Sequence, residues 1–267
     1  MEQKLAKPEW LKIKLTTTDS FSNIKNTLKQ HNLHTVCEEA HCPNISECWN
    51  TGTATFMLMG DTCTRGCKFC AVKTGNPMKK LDADEPKKLA KALAEIKLFD
   101  YVVLTSVNRD DLEDGGSSHI AECIKEVKKE YPKIIVEVLI PDFKGGINDL
   151  RKVVDAKPEV IAHNIETVER LQRKVRDVRA SYEQSLSVLE NVKKMNPKIY
   201  TKSSIMLGLG EEDEEVVQAM KDLRNINVDI LTLGQYLRPT DWHIAISNFV
   251  APEKFDYFKQ KALELGF

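Results

Sequence analysis

Six of the seven cysteines, Cys37, Cys42, Cys48, Cys63, Cys67 and Cys70, fall within 34 residues of one another, and only Cys123 lies elsewhere. Clustered sulfur either crosslinks a chain or binds metal. Disulfide frameworks suit small secreted domains, whereas this chain has 267 residues and opens on a segment carrying Lys4, Lys7, Lys12 and Lys14 with no continuous apolar block. No signal peptide is expected, and reduced thiolates holding metal in the reducing cytoplasm are the better reading. In Cys63-Thr-Arg-Gly-Cys67-Lys-Phe-Cys70 the C-x3-C-x2-C spacing lets three thiolates wrap one corner of a cubane, leaving the fourth iron without a protein ligand. An open iron is a binding site. Gly66 permits the tight loop, and Phe69 sets a flat apolar surface beside it. Structural zinc is the competing reading, but it takes four ligands in closed tetrahedral geometry and no fourth follows nearby.

Such a loop needs elements to hold it. Apolar, β-rich runs occur at 56–60, 101–106, 134–140, 160–165, 199–207 and 229–233, separated by stretches with helical spacing. Pro86 opens a helix carrying Leu89, Leu93, Ile96 and Leu98, and Ser117/Ser118 cap one carrying Ile120, Ile124 and Val127. Further helices start at Ser181, span 211–226, and begin at Ala251-Pro252. Regular alternation predicts a parallel sheet with right-handed crossovers. Six βα units are too few for a closed eight-stranded barrel, so the expected fold is α/β, a partial (β/α)6 TIM-like barrel; a doubly wound open sheet is the alternative. The expected organisation is an N-terminal extension at 1–55, the barrel at 56–250 and a C-terminal helix at 251–267. The extension carries Cys37, Cys42 and Cys48 and a short helix near 19–30 with Phe21, Ile24 and Leu28 on one side, and it should lie across the barrel mouth. The second triplet then sits in the first βα loop, at the end of a barrel where chemistry happens.

Composition narrows the function classes. With 39 Lys+Arg against 40 Asp+Glu the formal charge is 39 − 40 = −1, so electrostatics gives no support to nucleic acid or an anionic membrane as partner. Phe56-Met57-Leu58-Met59 is far shorter than a membrane span.

The second triplet resembles that of the radical S-adenosylmethionine (SAM) superfamily. Joined to the upstream Cys37-Glu-Glu-Ala-His-Cys42-Pro-Asn-Ile-Ser-Glu-Cys48-Trp, a C-x4-C-x5-C triplet, it resembles the lipoyl synthase family. The likeness extends over nearly the whole chain, through Gly52-Thr-Ala-Thr-Phe-Met, Thr105-Ser-Val-Asn-Arg-Asp-Asp-Leu-Glu-Asp-Gly-Gly116, His163-Asn-Ile-Glu-Thr-Val, Gly208-Leu-Gly-Glu and Gly234-Gln-Tyr-Leu-Arg-Pro-Thr240. The two triplets in this order are specific; any one of the later strings alone would be weak.

The resemblance implies two [4Fe–4S] clusters. Cys63, Cys67 and Cys70 would hold the one that binds and reduces SAM, and Cys37, Cys42 and Cys48 an auxiliary cluster consumed as the sulfur source. It implies a sulfur-inserting transferase in which a 5′-deoxyadenosyl radical removes hydrogens from C6 and C8 of a protein-bound octanoyl-lysine. The chemistry is carried by the clusters and SAM rather than by a catalytic side chain. The implied partners are an octanoylated lipoyl-domain or glycine-cleavage H-type carrier protein and a ferredoxin- or flavodoxin-like electron donor. Asp114-Gly115-Gly116 matches the glycine motif that holds SAM's amino group, with a plain capping turn as the alternative. Asn108 and Glu166, near strand ends, are candidates for SAM's polar groups.

Other features take structural readings. Gly208-Leu-Gly210 reads as a strand-to-helix turn, Cys123 as a buried apolar residue, and His41 as a bystander to Cys42. Arg170, Arg173, Lys174, Arg176 and Arg179 form a basic run suited to SAM's carboxylate or an acidic carrier, or to a solvated helix face. The family carries an Arg-Ser-Ser-Tyr stretch whose serine oxygen closes the auxiliary cluster, and the sequence stops at Phe267 where that stretch would begin. Ser203-Ser204, in the fifth strand, is not its replacement. The expectation on this ground is a labile auxiliary cluster and SAM cleavage with little lipoyl product. A biotin-synthase-like sulfur inserter on a free small molecule, and a non-catalytic metal-stapled scaffold, are the alternative functions.

Overall fold

The computed structural model describes residues 6–11, 19–31, 34–39, 42, 44–50, 53–78, 80–96 and 99–267. The strands are β1 (His34–Thr35), β2 (Thr53–Leu58), β3 (Thr62–Cys63), β4 (Lys73–Thr74), β5 (Tyr101–Ser106), β6 (Ile135–Leu139), β7 (Val160–Ala162), β8 (Tyr200–Leu207) and β9 (Ile230–Gln235). The helices are α1 (Asp19–Gln30), α2 (Val36–Glu39), α3 (Ile45–Asn50), α4 (Glu85–Ile96), α5 (Ser117–Glu130), α6 (Ile147–Asp155), α7 (Gln172–Val175), α8 (Tyr182–Met195), α9 (Asp213–Asn225) and α10 (Pro252–Glu264).

The main sheet runs β1-β2-β5-β6-β7-β8-β9, and β2 through β9 in that order are all parallel. A doubly wound sheet reverses direction after its first units and so covers both faces with helices. Here each strand is added on the same side of the last, so right-handed crossovers place the helices on one face and the sheet curls into a half-barrel. Alternate side chains divide accordingly. Val102, Leu104, Val136 and Val138 are fully buried under the helical layer with Leu89, Leu93, Ile120 and Ile124. Met57, Thr105 and Leu139, of opposite parity, line a cavity on the concave face.

The strand ends have local causes. The first parallel strand stops at Leu58, ahead of the expected 60, because Met59 (φ 67) and Gly60 (φ 92) take left-handed conformations that no strand continues. The run at 160–165 keeps only three residues as strand, and Glu166 (φ 66) turns the chain away after a single bridge to Ile205. Helix α6, nine residues long and buried through Leu150, Val153 and Val154, was not among the helices expected from the sequence. In α4, Leu89, Leu93 and Ile96 are buried as expected, while Leu98 lies outside the described residues.

The N-terminal extension adds an antiparallel edge to the sheet, His34 pairing with Met57 and Thr35 with Phe56. Helices α2 and α3 pack on β2, and α1 packs on α3 and α4 with Ile24 fully buried. Its described part therefore sits against the first parallel strand, and Val36 reaches the cavity. The side chains of Phe21 and Leu28 lie outside what is described.

Low on the concave face, the buried Glu137 carboxylate accepts from Lys202 at 2.9 and 3.0 Å and from the Tyr101 hydroxyl. Removing only the cation strands a desolvated carboxylate. Lys202→Met should cost about 2 kcal/mol, and the double change Lys202→Met/Glu137→Leu less than the single one. Urea unfolding of the three proteins checks the order.

Candidate functional site

The chain between β2 and α4 carries the second cysteine triplet, as the spacing predicts. Cys63 closes β3, which pairs with β4 to give the loop a short internal brace. Two sulfurs accept backbone N–H groups from neighbouring loops. Asn108 N–H donates to Cys63 Sγ at 3.3 Å, and Asp177 N–H to Cys67 Sγ at 3.3 Å. Together with Asn108 and Glu166, the three cysteines line a cavity of about 290 Å³ at the C-terminal ends of the strands. All seven cysteines are free.

The donor set discriminates between metals. A single tetrahedral zinc with Zn–S near 2.3 Å draws its sulfurs to about 3.8 Å from one another. Among the described residues, the group with ligand atoms all within 4.8 Å is Glu85, His119 and Cys123, so neither cysteine triplet is gathered tightly enough for one ion. Three sulfurs spread over one wall suit the corners of a cluster. Burial raises the pKa of Cys67 against the opposing pull of Asp177 N–H and Arg176, and pushes Cys70 up to about 12. Bare thiolates are disfavoured here, and iron would supply the missing positive charge.

The first triplet spans α2 and α3. Cys42 N–H donates to Cys37 O at 3.0 Å, and Cys48 N–H to Asn44 O at 3.0 Å. Burial raises the pKa of Cys37, countered by hydrogen bonds from Thr55 backbone and the Trp49 side chain; burial and then the charges of Cys37 and Cys42 raise Cys48. The three thiols thus feel one another. None of the three lines the main cavity, although Val36, next to Cys37 in the chain, does. His41 is outside the described residues.

A buried ion-pair network fixes the second loop. Arg65 Nη1 and Nη2 donate to Asp142 at 2.7 Å each, while Nε and Nη2 donate to Asp110 at 3.0 and 2.9 Å. Burial opposes the charges, yet these bonds raise the Arg65 pKa and hold Asp142 and Asp110 below the usual carboxylate range. Thr64 Oγ1 also donates to Asp110, and Gly66 N–H to Asp177 at 2.8 Å. The loops after β2, β5, β6 and β7 are thereby tied together.

The remaining sequence candidates separate. Glu166 enters the cavity, and its pKa is raised by burial against the lowering influence of Arg176 and Asn164. Gly115 and Gly116 are not in the main cavity's lining. Gly116 (φ 88) precedes α5, and a Cβ there would fall 2.2 Å from Met59 Sδ; one on Gly115 would fall 3.3 Å from Phe143. Asp114 caps the same helix, accepting from Gly116 N–H and Ser118 N–H. Cys123 is fully buried in the core beside Glu85, whose carboxylate accepts Met59 N–H and meets His119. The basic run divides residue by residue. Arg170 pairs with Glu215, Arg179 with Asp177 and Asp110, and Arg173 and Lys174 are exposed, whereas Arg176 is buried and lines the cavity.

Sequence reasoning passed over Arg65, Asp142 and His163. An arginine inside the cysteine loop and an Asp just after the third predicted strand were the available signal for the first pair. His163 is 4% exposed, with its ring nitrogens 2.8 Å from Ile140 O and 3.0 Å from Ser185 Oγ. Burial, and then Arg176, lower its pKa to about 4, so the imidazole on the cavity wall is neutral at neutral pH.

Two family models match the chain. The one described as the radical SAM superfamily covers residues 57–223, and the N-terminal domain of lipoyl synthase covers residues 1–42. The chain is 54% identical over 261 residues to a lipoyl synthase of the apicoplast from Plasmodium falciparum, covering 98% of this chain and 63% of that one. It is 56% identical to a mitochondrial lipoyl synthase from Culex quinquefasciatus, covering 100% and 71%, and 54% identical to lipoyl synthase from Myxococcus xanthus, covering 100% and 89%. It thus spans about three fifths of the Plasmodium proteins it matches. Among solved structures, the hydrogenase maturase HydG gives a TM-score of 0.62 at 14% identity, covering 94% of this chain and 61% of that one. Methylornithine synthase gives 0.60 at 15%, covering 93% and 70%. These likenesses establish the barrel.

Two expectations follow from the buried charges. Arg65→Met leaves Asp142 and Asp110 without their cation and should lower stability by about 3–5 kcal/mol, with Arg65→Lys intermediate because it cannot engage both carboxylates bidentately; thermal unfolding orders the three. For His163, the unfolded chain binds the proton more readily than the fold does. Stability is therefore fully present above about pH 6.5 and falls toward pH 4, by up to about 3 kcal/mol from this group. A His163→Asn variant should show a flatter decline across that window in urea unfolding.

Proposed function

Because this chain belongs to the lipoyl synthase family of the radical SAM superfamily, we propose that it is a sulfur-inserting transferase acting at C6 and C8 of an octanoyl-lysine on a carrier protein. The observation that carries the reading is the pairing of two cysteine triplets, each too open for one ion, one on the cavity wall and one on the helical segment packed against β2 of the same sheet. When bound, the clusters and SAM supply the electron, the radical and the sulfur that no side chain here can furnish.

The chain's own residues have narrower duties. Cys63, Cys67 and Cys70 hold one cluster, and Cys37, Cys42 and Cys48 the other. The Asn108 and Asp177 N–H groups orient two of the sulfurs by donating to them. Glu166 and Arg176, opposite charges facing each other in the cavity, are suited to the amino and carboxylate groups of SAM's methionyl end. Asn108 offers a further polar contact, and Gly115-Gly116 keep α5 and Met59 close behind the wall. His163 stays neutral and adds no charge near Arg176. Phe69, Leu139 and Val72 give the cavity the apolar surface an acyl chain requires. The scaffold alternative lacks such support, since a purely structural role would not call for three thiols opening onto a cavity.

The proposed partners are an octanoylated lipoyl-domain or H-type carrier and a small one-electron donor. The proposed setting is a reducing one, the cytoplasm, although two of the relatives carry organelle names.

The test separates the triplets. Cys63→Ala, Cys67→Ala or Cys70→Ala should abolish 5′-deoxyadenosine formation with dithionite as reductant. Cys42→Ala should leave SAM cleavage in place and remove thiolated product. Undiminished 5′-deoxyadenosine in the first group, or lipoyl product from the last, contradicts the assignment.

A further inference from the structure

We propose that Glu85, His119 and Cys123, where α4 meets α5 in the helical layer, form a zinc-class metal site separate from both cysteine triplets. His119 and Cys123 stand four residues apart on α5, so their side chains leave one face of the helix a turn apart. Glu85 opens the neighbouring α4 and faces them across the helix junction. The ligand atoms of the three all lie within 4.8 Å of one another, and His119 Nε2 is 2.5 Å from Glu85 Oε2. A tetrahedral zinc holds mixed nitrogen, oxygen and sulfur ligands about 3.5 Å apart, so small rotamer adjustments gather this set around one ion.

The donor types select the ion. Thiolate, imidazole and carboxylate together suit zinc, whereas magnesium and calcium take oxygen ligands. One thiolate and one carboxylate balance a divalent charge, so the ion brings no net charge into a site whose Cys123 is fully buried. Burial, and then the charges of Glu85 and Glu122, push the Cys123 thiol well above its ordinary pKa. A cation reverses that bias, and the thiol proton leaves to solvent as the sulfur takes the metal. The side chains of Glu85 and His119 keep 13% and 9% exposure, which gives the ion a path in and leaves a fourth position to water.

The carboxylate is already oriented. Met59 N–H donates to Glu85 Oε2 at 3.0 Å, the kind of outer contact that fixes a metal ligand. Met59 (φ 67) turns the chain out of β2 toward Cys63, so an ion at Glu85 braces from behind the turn where the second cysteine loop departs. A plain histidine–carboxylate contact between two helices is the competing reading, and it gives no part to the thiol at the third corner.

The experiment uses anaerobically reconstituted holoenzyme, with zinc chloride as the probe. Equilibrium dialysis with metal analysis gives zinc per chain, and X-ray absorption at the zinc edge counts the sulfurs around it. Iron per chain, measured alongside, tests the cluster reading separately. Wild-type protein should take up one zinc with a single sulfur neighbour and the rest nitrogen or oxygen, keep its iron, and unfold at a higher temperature. Cys123→Ala should weaken zinc retention at least about tenfold and remove the sulfur neighbour. His119→Ala and Glu85→Gln should weaken it by a similar factor and keep the sulfur. Circular dichroism and iron content confirm that each variant is folded, and the sulfur count on wild-type protein depends on no variant. The proposal is overturned if the holoenzyme takes up no zinc, if the zinc sits among three sulfurs or displaces iron, or if folded Cys123→Ala and His119→Ala proteins retain it with wild-type affinity.

Discussion

The Arg65 guanidinium stands between Asp110 and Asp142 with four hydrogen bonds of 2.7 to 3.0 Å, and it joins three loops that the sheet alone leaves independent. A half-barrel has no ring closure to set its rim, so the geometry of the rim must come from contacts among loops. Asp110 also takes Thr64, Asp142 also takes Gln184, and Asp177 binds Gly66 while Arg179 reaches Thr64 O. Each carboxylate therefore grips the cysteine loop and a neighbour at once. The desolvation of these charges is compensated only if every partner stays in place. That requirement confers rigidity where three sulfurs must present themselves to one group of atoms.

Burial opposes ionisation of thiols and carboxylates alike, but Arg65 brings Asp110 and Asp142 down again, whereas four of the triplet thiols stay raised. Those four, Cys37, Cys48, Cys67 and Cys70, leave the protein with sulfurs reluctant to ionise unless a cation arrives. The Asp177 N–H donor to Cys67 offsets part of that cost. The buried thiols thus keep their protons until a metal displaces them, and the same burial keeps His163 and Arg176 poised on the wall without exposing them to water. Chemistry that involves a reactive carbon centre depends on such exclusion.

Much of this was legible in the sequence. The six parallel strands follow from apolar runs, and the placement of Cys63, Cys67 and Cys70 after the first of them follows from spacing. Helix α6 escaped notice because it is nine residues long and its buried positions, Leu150, Val153 and Val154, make only a brief periodic signal. The ends of β2 and β7 depend on left-handed Met59 and Glu166, conformations that residue type does not announce. Arg176 could not be separated from Arg170 or Arg173 because one-dimensional charge does not reveal which member of a run turns inward. Gly115 and Gly116 illustrate the reverse case, where a motif read for ligand contact also meets a packing need against Met59 and Phe143.

The claim at the centre is that two cysteine triplets each hold a cluster rather than a single ion. Metal and sulfide analysis of anaerobically prepared protein tests it most directly. About eight irons and eight sulfides per chain are expected from two cubanes. Stoichiometric zinc with little sulfide would contradict it.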